Sequence, residues 1–228
     1  MAILKLTDKA TKIALDHPLL KAKARIGRGA FCAVYDNGAS VLKLTCDEYQ
    51  YAFYTHADRP IGSYFPTLLA DLGCVGGTRE KPLYLVEMER LQPIRFKAKT
   101  AADAWNQRKN LVAAVNGHRQ HVWNKFEGRD CDVGRLIQIA CLRGAAESGQ
   151  VGRELGLAAN RLASFCELVV CSPDLHRSNF MLRGSQLVLN DVVKDHFAIY
   201  RNDLFKVMPK ELVDPYLASK VASRASIR

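Results

Sequence analysis

The stretch from Lys23 to Thr45 constrains the fold most. Residues 24–27 read as a strand, Gly27-Arg28-Gly29 as a turn, and Phe31 to Asp36 as a second strand. Asp36-Asn37-Gly38 then reverses the chain into a third strand, Ser40 to Thr45. Asn and Gly tolerate positive φ, so this tripeptide predicts a tight hairpin. An antiparallel meander with a glycine corner follows. The corner is not a Walker loop, which needs Gly-Lys-Ser/Thr and a helix next, and a dinucleotide fingerprint also expects a helix where this chain has a strand. Two readings stay open for Gly27 and Gly29: a plain turn, or a corner whose backbone N–H groups approach a phosphate closely.

Further along, a helix is expected from Asp47 to about His56, ended by Asp58-Arg59-Pro60-Ile61-Gly62. Leu68 to Val75 and Leu83 to Met88 are strand candidates, with Gly76-Gly77 between them as a loop. After Pro93 the period becomes helical. Ala101, Ala104/Trp105, Leu111/Val112 and Val115 share one face, interrupted by Arg108. Val133, Leu136/Ile137 and Ala140 share another. The clearest stripe is Leu155, Ala158/Ala159, Leu162, Phe165/Cys166 and Val169, in a long helix ending at Cys171-Ser172-Pro173. Two short strands, Phe180 to Arg183 and Gln186 to Asn190, close the pattern around Gly184-Ser185. The fold class is α+β. It divides into an N-terminal helix or arm (1–22), a small β-rich lobe (23–91) and a reduced helical lobe with a basic tail (92–228).

At 228 residues the chain is long enough to bury a sizeable core. Its 25% charged residues are ordinary for a globular protein. No apolar run approaches the roughly 18–20 residues that span a bilayer. No secretory h-region is visible near Met1, so a cytoplasmic protein is expected. The seven cysteines contain no C-x-x-C pair, which argues for reduced, mostly buried thiols over a disulfide framework or zinc knuckle. A net charge of +10 favours an acidic partner. Between Arg90 and Arg129 nine basic residues face only Asp103 and Glu127, either as a solvated face or as a contact for nucleic acid, the latter not favoured.

Three places carry chemistry. Lys43 lies between Leu42 and Leu44 in a strand; either it points outward from an edge, or its ammonium meets an anion. Asp174-Leu175-His176-Arg177-Ser178-Asn179 follows the long helix and precedes the late hairpin, and Asp191 ends that hairpin. Asp174, Asn179 and Asp191 therefore converge on one end of a two-stranded ribbon. Asn and Asp oxygens are hard ligands suited to Mg²⁺, which keeps phosphate oxygens and water around it. The remaining Asp can orient or deprotonate a hydroxyl.

Glycine turn, strand lysine, hinge, long helix, Asp-x-x-x-x-Asn, hairpin and Asp follow the order of the protein-kinase-like superfamily. Gly27-Arg28-Gly29-Ala30-Phe31-Cys32-Ala33-Val34-Tyr35 resembles its glycine-rich loop, and Val41-Leu42-Lys43 its phosphate-lysine strand. Val86-Glu87-Met88-Glu89-Arg90-Leu91 is similar to gatekeeper and hinge, Asp174 to Asn179 to the catalytic loop, and Leu189-Asn190-Asp191-Val192 to the metal-binding segment. The histidine two places after Asp174 resembles that of the aminoglycoside phosphotransferases. The whole pattern, over roughly residues 23 to 200, is most similar to the early Ser/Thr protein kinases of short-tailed bacteriophages. Cys32 stands in place of the third loop glycine, Ser172-Pro173 in place of His-Arg before the catalytic Asp, and Val192-Val193 in place of Phe-Gly.

The resemblance implies a bilobal fold and ATP- and Mg²⁺-dependent phosphorylation of host bacterial proteins, and of the chain itself at Ser219, Ser223 or Ser226. Small-molecule phosphorylation and a non-catalytic binding role are the alternatives. It further implies that the backbone from Gly27 through Ala30 and Phe31 covers the ATP phosphates, which Lys43 holds. Glu48 is either the partner of Lys43 or an exposed helix-start residue. Met88 would be the gatekeeper, and the Glu89 and Leu91 backbone would meet adenine. Asn179 and Asp191 would hold Mg²⁺, and Asp174 would be the base. His176 would touch phosphate or acceptor, or make a structural hydrogen bond.

Overall fold

A computed structural model describes residues 16–78, 81–94, 101–126 and 133–194. The architecture is mixed α+β, with a five-stranded antiparallel sheet and four α-helices among the described residues. Contacts group it into two units. Of the described residues, the first unit holds 16–57, 67–78 and 81–90, and the second holds 58–66, 91–94, 101–126 and 133–194. Most of the expected N-terminal arm, part of the basic 90–129 stretch and the tail serines lie outside the described residues.

In the first unit, β1 (Arg25–Arg28), β2 (Cys32–Asn37), β3 (Ser40–Thr45), β4 (Leu68–Thr78) and β5 (Lys81–Glu89) form one sheet in the order β1-β2-β3-β5-β4. The Asn37-Gly38 hairpin closes as its residue types demand: Gly38 has φ +74°, and Asn37 pairs with Ser40 in register. Side chains alternate between the two faces. Ala33, Tyr35, Leu42, Leu44, Leu83 and Leu85 pack one face into a core closed by Leu20. Helix α1 (Glu48–Thr55) starts where Asp47 accepts hydrogen bonds from the Tyr49 and Gln50 amides, and it packs on β3, β4 and β5.

Gly76-Gly77, expected as a loop, instead belongs to β4. The pair continues the ladder opposite Leu83 and Pro82, beyond a bulge at Cys74/Gly76. Positive φ at both glycines (+158° and +89°) lets the strand bend through irregularities that side-chain-bearing residues would resist.

The second unit contains α2 (Ala102–Phe126), α3 (Val133–Glu147) and α4 (Arg153–Leu168). All the residues of the expected α4 stripe are buried, from Leu155 to Val169. Gly144 and Gly156 allow close approach between helices: a Cβ at 144 would stand 3.0 Å from the His118 ring, and one at 156 3.0 Å from the Ala146 carbonyl. After α4 the chain forms β7 (Ser172–Pro173), a 3-10 turn at Arg177–Asn179, and the hairpin β8 (Phe180–Arg183) and β9 (Gln186–Leu189). The hairpin pairs with β6 (Gln92–Pro93), while β10 (Val193–Lys194) pairs with β7. Residues 58–66 group with this unit through long-range polar contacts. Leu189 donates to the Tyr64 carbonyl, Arg161 to the Ile61 carbonyl, and the Arg183 guanidinium to the Ser63 and Phe65 carbonyls. The six described cysteines carry thiols, all buried except Cys74. No described helix is long and apolar enough to cross a membrane.

Candidate active site

In the first unit the sheet order decides what Lys43 can do. β3 lies between β2 and β5, so Lys43 is not on an edge, and the outward-facing reading of its side chain is corrected: it is only 2% exposed. Lys43 pairs in register with Val34 on one side and Val86 on the other, and Val34 pairs with Gly27. Gly27, Val34, Lys43 and Val86 thus form one row across four strands. Val41 and Met88, themselves paired, flank that row on the same face. A Cβ at residue 27 would lie 3.4 Å from Val34 Cβ, an ordinary van der Waals contact.

The lysine ammonium donates to Tyr54 Oη at 2.9 Å and lies 4.9 Å from that ring's centre. Tyr54 therefore belongs to the lysine site. No sequence motif marks it; only its i+6 position in a short helix places it over β3. Glu48 occupies the first turn of the same helix, where an acidic side chain favours the helix N-terminus. At the glycine corner the Gly29 amide donates to the Cys32 carbonyl at 2.8 Å, and the Cys46 amide donates to the Phe31 carbonyl. Ala30 and Phe31 therefore form the tip of a closed turn. At the far end of β5, the Glu89 amide donates to the Thr67 carbonyl, and Glu89 Oε1 accepts from the Thr67 amide at 2.7 Å. Leu91 begins the longer segment of the second unit.

In the second unit Asp174 and Asn179 are bonded to each other, and the residues flanking Asp191 are bonded to them, which makes one knot. The Asp174 amide donates to the Val192 carbonyl, and the Asn190 amide to the Asn179 carbonyl. Asn179 Nδ2 donates to both Asp174 Oδ2 and the Asp174 carbonyl, each at 3.0 Å. Asp191 lies between Asn190 and Val192, at the hairpin end, in the left-handed region at φ +60°. Asp is among the few side chains that occupy that region readily. His176 caps the 3-10 turn: its Nδ1 accepts from the Ser178 amide and is 2.8 Å from Ser178 Oγ. The structural hydrogen bond expected of His176 is therefore present.

Two further groups stand near these residues. The Lys194 ammonium stands 3.6 Å from Asp174 Oδ1, because β10 pairs with β7 and sets Lys194 opposite Ser172. Arg108, the interruption in the α2 apolar face, stacks on the Trp105 and Phe180 rings at 4.8 and 5.4 Å. Burial first, and then the neighbouring Arg177 charge, lowers the tendency of Arg108 to hold its proton. A cavity of about 310 Å³ opens beside Asp174, walled by α2 and α3 and by residues 173–176 with Lys194.

Asn179 and Asp191 could hold a divalent cation. They supply hard oxygen donors, one of them anionic, on a backbone clamped by the hydrogen bonds above, which suits an ion that keeps most of its shell for phosphate and water. Among the described residues no group of three or more His, Cys, Asp and Glu side chains forms a metal site by itself. Compared with protein-family models, curated proteins and solved structures, the chain gives no match.

Proposed function

We propose that the protein has a bilobal kinase-like fold and is an ATP- and Mg²⁺-dependent Ser/Thr protein kinase acting on bacterial proteins in the cytoplasm of the cell. The knot of Asp174, Asn179 and Asp191 carries this reading. Named hydrogen bonds join Asn179 to Asp174 and tie the residues on either side of Asp191 to the same segment, bringing together the residue types needed to align a hydroxyl and hold a metal–phosphate group. The buried Lys43 beside Gly27 supports it, since an ammonium at the centre of a sheet is poised for an anionic ligand.

In the proposed reaction the acceptor oxygen forms a bond to the γ-phosphorus of ATP while the bond from that phosphorus to the β,γ-bridging oxygen breaks. ADP leaves with that electron pair, and Asp174 takes the hydroxyl proton. Lys43, steadied by Tyr54, holds the phosphates that are not transferred. Ala30 and Phe31 cover them, and the Glu89 and Leu91 backbone meets the adenine beside Met88. Asn179 and Asp191 would hold the magnesium ion, which when bound neutralises charge developing on the phosphates. Lys194 fixes the carboxylate of Asp174 on the side away from Asn179, so the base keeps one orientation.

The test is incubation with γ-labelled ATP and Mg²⁺, alone and with bacterial lysate, beside Asp191→Asn. Asn suits the φ of +60° better than Ala, so the control removes the charge and keeps the turn. Label on protein, reduced at least about a hundredfold in the control, is expected. Absence of label with either Mg²⁺ or Mn²⁺ overturns the reading.

A further inference from the structure

We infer that the cavity beside Asp174 is the acceptor subsite, and that it takes an extended peptide segment whose Ser or Thr is flanked by an acidic residue. This rests on the phosphotransfer reading above. The cavity's size is the first argument. About 310 Å³ is at the lower end of small-ligand sites, room for the hydroxyl residue and a neighbour.

Charge is the second argument. The titratable side chains around the cavity are Arg119 on α2, Cys141 on α3, Asp174 and His176 in the catalytic segment, and Lys194 on β10. Asp174 and Lys194 offset one another as an ion pair, which leaves the exposed Arg119 as the charge with no opposite partner among the described cavity-lining residues. A polycationic acceptor would meet Arg119 and Lys194 unfavourably, whereas a carboxylate gains a charge-assisted hydrogen bond. Gln138 supplies the third argument. It lines the same cavity from α3, and its Oε1 is buried without a hydrogen-bond partner among the described residues. Such an oxygen needs a donor; it is covered in the peptide-free chain, so a turn of the Gln138 side chain toward the cavity on binding would bring it a peptide N–H. A peptide hydroxyl at Asp174, an N–H at Gln138 and a carboxylate at Arg119 together satisfy the groups the cavity presents.

The test compares Ser peptides flanked by Glu, Gln or Lys, with glycerol 3-phosphate as a small anionic hydroxyl acceptor. Binding is read by anisotropy and transfer by steady-state kinetics. The Glu-flanked peptide should exceed the Gln-flanked one about tenfold in kcat/KM. Arg119→Glu should abolish that preference mainly through KM and improve the Lys-flanked peptide. Gln138→Leu, which removes the orphaned oxygen, should raise Tm while weakening peptide binding; a structural role alone would not move the two in opposite directions. Equal use of all three peptides, or no effect of Arg119→Glu on them, overturns the inference even if label transfer is robust. Preference for glycerol 3-phosphate over every peptide also overturns it. Charge-selective peptide binding that Arg119→Glu reverses, with no ATP turnover, upholds the subsite and sinks the phosphotransfer reading instead.

Discussion

Lys43 shows how a single residue is decided by distant parts of the chain. Flanked by Leu42 and Leu44, it is equally compatible with an outward-facing position and with a buried one. Placement of β3 between β2 and β5 buries it, and Tyr54 meets its ammonium at 2.9 Å. Lys43→Met should cut phosphoryl transfer by about 10²–10³-fold with a much smaller effect on stability, because relief of a buried charge offsets the lost Tyr54 hydrogen bond. Tyr54→Phe should do the reverse in emphasis: about 1.5–3 kcal/mol of stability is lost with a hydrogen bond to a charged group, with a smaller kinetic effect. Paired urea titrations and initial rates would check both. A second residue makes a pH prediction. The Gly38 amide, donating at 2.8 Å, holds the Asp36 carboxyl below its ordinary range; the Arg90 guanidinium adds to this against some desolvation. A carboxyl lowered in the folded chain contributes stability that is full above its unfolded value, about 4, and is lost as pH falls through the folded value. The urea midpoint of wild type should therefore fall more steeply than that of Asp36→Asn below about pH 4.

At the scale of elements, most of what the residues promise locally is present. The α4 stripe is buried along its length, Asp47 caps α1, and Gly184, with φ +62°, turns β8 into β9. These features depend on neighbours a few positions away, so their pattern is readable in one dimension. The Gly76-Gly77 pair misleads for a physical reason: two glycines allow a loop and equally allow a bulged strand, and pairing with Leu83 and Pro82 chooses the strand. Helix packing sets its own terms too. Gly156→Ala would gain about 1 kcal/mol in helix propensity. It would also press a methyl 3.0 Å from the Ala146 carbonyl, backbone that cannot swing aside. Overpacking of this kind costs about 1–3 kcal/mol. A net destabilisation, read as a lower Tm than wild type, is expected; a higher Tm would show that α3 and α4 yield at that contact.

For the whole molecule, the proposed reaction assigns nucleotide-holding roles to Lys43 and to Asn179 with Asp191. MgATP should then raise Tm in wild type, by the equivalent of about 2.7 kcal/mol at a hundredfold excess over Kd. The rise should be much smaller in both Lys43→Met and Asp191→Asn; differential scanning fluorimetry would check this. A rise kept in either variant would remove that residue from the nucleotide-holding set. The amino-acid sequence by itself determined the class of elements, their order, the hairpin turns and the Asp174–Asn179–Asp191 spacing, because each follows from local periodicity, capping or backbone freedom. Only the tertiary structure decided that Lys43 is buried under Tyr54, that Lys194 stands beside Asp174, and that Arg119 and Gln138 wall the same cavity. Those pairings join residues far apart in the chain. They depend on sheet order, on the β7–β10 bridge and on helix packing, which are set by burial across the whole fold rather than by any local pattern.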